Sequence, residues 1–194
     1  MNLAKLWTLI ICSCLTNLVV GQDSIQRKIA GDGGMLLIPW KNGKPNSVQK
    51  AYYPDGKLRM EEVVVDGYKS GYSRQYYKNG QLQRGSNFIK NYFNGPDTSY
   101  FEDGKIKGFS FFVDGKLDGE TKTYNKDGQL ASEHIYEKGV LVGISKQYKN
   151  GILLTKGHYK DGKHDWFIFY NDNGTIKDSI HYENGKRNNP LPPK

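Results

Sequence analysis

Glycine spacing constrains this chain more tightly than anything else in it. Gly56, Gly80, Gly104, Gly128, Gly151 and Gly174 follow one another at intervals of 24, 24, 24, 23 and 23 residues. A second turn site follows each by 11 residues, at Gly67, Asn91, Gly115, Gly139, Gly162 and Gly185. A fixed period of this length marks a repeat array, in which each unit buries its apolar surface only against its neighbours. Most of these glycines follow Asp or Asn, as in Asp114-Gly115 and Asn79-Gly80. Between β-rich runs such pairs favour hairpins, because both residues reach positive φ at low cost. The interval between turns leaves about eight residues for a strand, a usual length.

The strands carry a signal of their own. The return leg to each first turn ends in an aromatic: Tyr53, Tyr77, Phe101, Tyr124, Tyr148 and Tyr170. The second residue after the turn glycine is aliphatic (Leu58, Leu82, Ile106, Leu130, Leu153, Ile176), and the eighth is Val64, Phe88, Phe112, Tyr136, Tyr159 or Tyr182. Both offsets are even, so strict strand alternation puts both columns on one face. Small residues such as Gly108, Ser110, Ser132 and Gly157 lie between them. No stretch shows an apolar 3.6-residue period of useful length, which leaves no helix beyond the N-terminal leader. The expected fold class is all-β: an elongated array of about six 23–24-residue β-hairpin repeats forming a single twisted antiparallel sheet. Twelve strands at about 4.8 Å each give a rod roughly 55–60 Å long.

The ends divide the chain further. Residues 1–21 place Lys5 before an apolar run from Leu6 to Val20 and end at Gly21, the layout of a signal peptide cut before Gln22. Lipidation at Cys14 is a variant of the same export reading. Cys12 and Cys14, the two cysteines, both lie in this leader, so the exported chain has neither a disulfide nor a thiolate metal site. Residues 22–39 read as a flexible lead-in, with GDGG at 31–34 off register. The repeat domain spans 40–187 and opens on a half-repeat at Asn42-Gly43 that acts as a cap. A proline-rich tail, 188–194, stops the array, since Pro190, Pro192 and Pro193 cannot donate to a ladder.

Units such as Tyr124-Asn-Lys-Asp-Gly-Gln-Leu and Tyr159-Lys-Asp-Gly-Lys-His, with the second glycine of Val113-Asp-Gly-Lys-Leu-Asp-Gly119, resemble the MORN repeat. The bacterial variant, built on Y-x-N/D-G-K-x-x-G and Y-x-x-D-G-x-L, is the form they look like most. The resemblance covers residues 40–187. It departs at Asn91, which replaces a first-turn glycine, and at Trp166 and Asn189, which replace second ones; altered turns are expected there. The resemblance implies single elongated sheets used as scaffolds, dimerisation modules or lipid-contacting surfaces. Bacterial variants often carry the label of a toxin–antitoxin antitoxin, which implies a role neutralising a toxin partner. Tyr-Asp repeats of secreted toxins and choline-binding repeats share the rhythm, but the first belong to longer chains and the second need more tryptophan than Trp40 and Trp166 supply.

Little in the sequence points to catalysis. His158 and His181 share a register position, yet successive repeats sit about 10 Å apart, too far to share one ion. Turn aspartates such as Asp55, Asp103 and Asp127 are explained by backbone bonding and form no dense calcium cluster. No phosphate loop or nucleophile motif is present, so an enzyme and a bound cofactor are not expected. The net charge of +8 favours anionic partners. Lysines follow the turn glycines as Lys44, Lys116, Lys163 and Lys186 on one edge and as Lys57 and Lys105 on the other. With Tyr124, Tyr148 and Tyr170 they form the candidate binding surface. The expected role is an exported, non-enzymatic binding or scaffold module at the cell envelope, periplasmic, outer-membrane-associated or secreted. Its partner is a protein or an anionic lipid or glycan surface rather than nucleic acid, with self-association open to it; the alternative is an antitoxin or immunity-type protein.

Overall fold

The computed structural model describes residues 18–20, 23–183 and 186–188. Cys12, Cys14, the expected cut site, Gly185, Asn189 and the proline tail lie outside them. The strands are β1 (Leu18–Val20), β2 (Asp23–Ile29), β3 (Met35–Lys41), β4 (Lys44–Pro45), β5 (Ser47–Tyr52) and β6 (Leu58–Val65). Next come β7 (Tyr68–Tyr76), β8 (Leu82–Ile89), β9 (Tyr92–Tyr100), β10 (Ile106–Val113), β11 (Lys116–Leu117) and β12 (Gly119–Tyr124). The last are β13 (Leu130–Glu137), β14 (Val140–Lys149), β15 (Ile152–Lys160), β16 (Lys163–Tyr170), β17 (Ile176–Glu183) and β18 (Lys186–Asn188). Each pairs antiparallel with its neighbour in sequence, and the short β4 and β11 open the legs continued by β5 and β12. The all-β, single-sheet hairpin array read from the repeats is the fold.

Asp23–Ile29, read from sequence as a flexible lead-in, is instead strand β2, paired residue for residue with β3. The turn that joins them centres on Gly33, 23 residues before Gly56, and so falls in the series of turn glycines.

The two series of glycines make two different turns. At Gly33, Gly56, Gly80, Gly104, Gly128 and Gly174 the glycine N–H donates to the carbonyl three residues back, as from Gly56 to Tyr53 at 2.9 Å. Only the glycine takes positive φ there, 81–87°. These are three-residue loops, a type I turn closed by a left-handed glycine. At 42–43, 66–67, 90–91, 114–115, 138–139, 150–151 and 161–162 both residues have positive φ, as in Asp66 (52°) and Gly67 (86°), which is a two-residue type I′ turn. Asn91 (φ 72°) keeps this geometry, contrary to the altered turn expected there, because asparagine tolerates the left-handed region.

Bulges recur as regularly as turns. Tyr52 faces Leu58 while Ala51 faces Met60, so Arg59 is an extra residue; the same shift sits opposite Tyr76, Tyr100, Tyr124, Tyr148 and Tyr170. A second bulge follows the type I′ turns at 66–67, 90–91, 138–139 and 161–162, and the same surplus of residues follows 42–43 and 114–115. Between the pairs Glu62↔Ser73 and Val64↔Lys69, one residue of β6 opposes three of β7. Ser47, Gly71, Gly95, Gly119 and Gly143 take positive φ (64–124°) at these second bulges.

The first bulge corrects the reading of the faces. An extra residue reverses the alternation of everything after it. The aliphatic column at Leu58, Leu82 and Ile106 therefore lies on the face opposite Val64, Phe88 and Phe112. A β-carbon built on Gly85 would meet Leu82 Cδ2 at 3.9 Å, a contact across an odd spacing that strict alternation forbids.

Candidate interaction surface

A sheet with no second layer offers two faces and two edges. One face carries the fourth, sixth and eighth residues after each first-turn glycine. Its middle column is buried although its residues are small or polar: Glu62 is 5% exposed, Ser86 6% and Asp97 9%. Buried charge requires partners, and each carboxylate has one. Lys69 Nζ sits 2.8 Å from Glu62, and Arg84 grips Asp97 at 2.8 and 3.1 Å while Ser86 Oγ donates to the same carboxylate. The cations pack over rings, Lys69 on Phe88 and Arg84 on Phe93. Phe88, Phe93 and Phe112 run side by side with centroids 4.4 and 5.0 Å apart, along the flank of this column. At the C-terminal end the face closes over Gly157 with Tyr159, His164, Phe167 and Tyr182 in edge-on contacts of 5.1–6.2 Å.

His134 occupies the same column and shares a hydrogen bond of 2.9 Å with Ser145 Oγ through Nδ1. Burial holds its pKa below the ordinary histidine value. The unfolded chain then binds the proton more readily than the folded one. Stability is full above about pH 6.5 and falls as pH drops from there toward the folded pKa. His134→Ser, which copies Ser86 and Ser110 of the same column, is expected to flatten that part of the pH profile. Urea midpoints of both chains between neutral and mildly acidic pH check this; parallel profiles would refute it.

The other face is laced by ion pairs. Glu61 takes a hydrogen bond from Tyr76 (3.0 Å) and one from Arg74 (3.4 Å), while Lys122 meets Glu120 (2.7 Å) and Lys146 meets Glu133 (3.0 Å). Burial first, and then Glu61, raise the Tyr76 pKa. His158 bonds Asp165 at 2.7 Å and stacks on Trp166. Among the described residues no cluster of three metal-ligating side chains exists. Tyr124, Tyr148 and Tyr170 are half-buried here, each opposite a bulged aliphatic (Leu130, Leu153, Ile176).

The edges differ in kind. Along the three-residue turns, side chains bond forward to the next repeat. Tyr53 and Tyr77 hydroxyls donate to the carbonyls of Tyr76 (2.7 Å) and Tyr100 (2.8 Å), and Lys57 and Lys105 to those of Lys78 (3.1 Å) and Lys126 (3.0 Å). Lys57 and Lys105 also pair with Asp55 and Asp103 of their own turns, and the bonds to Lys105 hold the Asp103 carboxyl below the usual range. Their charge is thus largely answered within the chain. Along the type I′ turns, the backbone itself bonds across repeats: Gly67, Gly115 and Gly139 donate to Pro45, Phe93 and Leu117. Lys44, Lys116, Lys163 and Lys186 on this edge are exposed, and among the described residues none is in an ion pair.

Exposed apolar side chains occur on both edges, Ile29, Ile106 and Ile176 beside the three-residue turns, but the exposed aromatics among them gather on this second edge, which turn spacing alone does not show. Tyr68 (51%), Ile89 (56%) and Tyr92 (64%) stand out, with Val65, Val113 and Val140 beside them. They flank the turns as cross-strand neighbours: Val65 opposite Tyr68, Ile89 opposite Tyr92.

Three stretches match the MORN repeat variant. The matched residues are 45–66, 69–90 and 117–138, each running from the second residue after one type I′ glycine position to the first residue of the next such turn. No curated protein matches the chain. MORN repeats are in general membrane- or protein-binding modules. The unmatched hairpins keep the fold while departing locally: Pro96 enters β9, Asn150-Gly151 closes a two-residue turn where a three-residue one is usual, and Trp166 takes the place of a glycine. At Trp166 the second bulge shrinks, with only Asp165 unmatched between the pairs His158↔Trp166 and Tyr159↔His164.

Proposed function

We propose that the chain is an exported, non-enzymatic repeat module that binds a protein or an anionic lipid or glycan surface at the cell envelope. One observation carries this reading. Among the described residues, side chains of the single layer are exposed on both faces, and those of the type I′ edge combine unburied aromatics with lysines that are in no ion pair. Exposed apolar side chains gathered in one place mark contact sites, and cations beside them favour anionic partners. The leader, cut before Gln22, would deliver the module to the periplasm or beyond.

Co-purification of the chain from its native envelope fraction at low and high salt tests the reading. Capture of anionic lipid or glycan that washes off at high salt fits the lysines Lys44, Lys116, Lys163 and Lys186, because exposed charges are screened. A single salt-resistant protein fits the binding module too, and a toxin as that protein would make it an immunity-type antitoxin. Retention of the chain in the cytoplasm, with no envelope fraction, would overturn the reading.

A further inference from the structure

Along the edge of three-residue turns, the residue three before the turn glycine sets how one repeat meets the next. In successive units it is Tyr53, Tyr77, Phe101 and Asn125. The Tyr53 and Tyr77 hydroxyls each donate to a carbonyl of the following repeat, Tyr76 at 2.7 Å and Tyr100 at 2.8 Å. The same step forward from Phe101 leads to the Tyr124 carbonyl, and Phe101 has no hydroxyl to offer. Among the described residues no side chain donates to that carbonyl. Asn125 then ends the row of rings. Its amide turns back on its own loop, to the Gln129 side chain (3.0 Å) and the Asp127 and Gln129 N–H groups (3.0 and 2.9 Å). Where the row breaks lies an open-sided pocket of about 430 Å³, lined by Tyr77, Phe101, Glu102, Asp103, Lys107 and Lys126. That volume falls in the range of small-molecule sites.

The lining offers three kinds of contact. The half-buried rings of Tyr77 and Phe101 are apolar walls. Lys107, the extra residue of the first bulge in β10, holds its ammonium 6.0 Å from the Phe101 centroid, and Lys126 stands exposed in the next turn. Among the described residues neither lysine is in an ion pair, while Asp103 is already held by Lys105. Glu102 is thus set against two cations, and the rim is net positive. The third contact is the Tyr124 carbonyl, which repeat equivalence places past the tip of the Phe101 ring. We propose that this pocket binds one hexuronate residue of an acidic glycan. The C–H face of the sugar packs on Phe101, a ring hydroxyl donates to the Tyr124 carbonyl in place of the missing phenol, and the carboxylate meets Lys107 and Lys126. A purely apolar ligand would leave the carbonyl unmet, and an inorganic anion would leave the rings uncovered. Such binding rests on the glycan form of the proposed function, but at the edge opposite to Lys44, Lys116, Lys163 and Lys186.

Titration of trigalacturonate into the isotopically labelled full-length chain, followed by amide chemical shifts, tests the site. Shifts are expected at residues 101–107 and 124–126, fading at high salt. The neutral trisaccharide maltotriose should bind at least about tenfold more weakly, because it leaves both ammoniums unanswered. Phe101→Tyr restores the residue used at Tyr53 and Tyr77, closes the hydroxyl bond to Tyr124 and narrows the pocket. It should keep or raise the urea midpoint while weakening trigalacturonate binding by at least about tenfold. A purely structural role for Phe101 would not separate those two readouts. Lys107→Gln, which copies Gln83 at the equivalent bulge, should keep the fold and weaken binding about threefold. Shifts gathered on the type I′ edge instead would overturn the pocket and leave the proposed function standing; no shifts anywhere would overturn the pocket together with the glycan form of that function. Equal binding of maltotriose, or undiminished binding by the Phe101→Tyr chain, overturns the proposal as well.

Discussion

Gly71→Ala is expected to destabilise the β6–β7 hairpin by about 2–4 kcal/mol, far more than Gly56→Ala. Both glycines have positive φ, 124° at Gly71 and 83° at Gly56. A β-carbon on Gly56 meets nothing within 4 Å, so that substitution costs only backbone strain, about 1 kcal/mol. On Gly71 it would stand 2.9 Å from Val63 Cβ and 3.2 Å from both Val63 methyls. A β-branched side chain has little rotamer freedom with which to retreat. Ser47 lives at φ 114° in the equivalent place of the first unit, so the dihedral angle is tolerable and the neighbour decides the cost. Urea unfolding followed by amide exchange in β6 and β7 reads the difference; equal midpoints for the two variants would show that Val63 yields.

Gly157→Ala should have an effect of similar size for a different reason. The backbone here is ordinary extended strand, and alanine in such a place normally gains slightly over glycine. A β-carbon would, however, run into Phe167 Cε1 and lie 2.7 Å from its Cδ1. The ring cannot swing aside freely, because Tyr159 and His164 hold it at 5.6 and 5.1 Å and Tyr182 at 6.2 Å. Overpacking of this kind costs about 2–3 kcal/mol. Phe167→Ala alone leaves a gap in the aromatic cluster and costs about 3 kcal/mol. The two together should cost less than their sum by about 1–2 kcal/mol, since the new methyl fills part of the space the ring vacates. Gly85→Ala, with only Leu82 Cδ2 at 3.9 Å, is the matched control and should be near neutral. Strict additivity between Gly157 and Phe167 would sink this account.

Both residues lie where sequence spacing stops being informative. Gly157 was visible as a small residue among large ones, and its column was assigned to the correct face, since its offset from the eighth residue is not interrupted by a bulge. Strict alternation puts the aliphatics at Leu58 and Leu82 on the wrong face, because Arg59 and Gln83 intervene as extra residues. Nothing about Arg59 or Gln83 as residue types announces a bulge. The candidate surface fared similarly. The type I′ lysines are exposed, whereas Lys57 and Lys105 are engaged with turn acids and neighbouring carbonyls, and nothing in the spacing marks the apolar row from Val65 to Val140. Each of its members looks like an ordinary strand-end residue; only their stacking on one edge makes them a patch.

The glycine periods show where the division falls. The array, its hairpins and its turn sites follow from sequence alone, because a left-handed φ is a local demand that Gly, Asn and Asp satisfy more cheaply than other residues. The three 23-residue intervals have three causes that only the folded sheet reveals. From Gly33 to Gly56, β3 lacks the bulge that follows the first turn. From Gly128 to Gly151, Asn150-Gly151 makes a shorter turn. From Gly151 to Gly174, Trp166 leaves the second bulge one residue smaller. A missing residue looks the same in each case when counted along the chain. Which hydrogen bond it removes is decided between strands, and that choice sets which face and which edge every later side chain occupies.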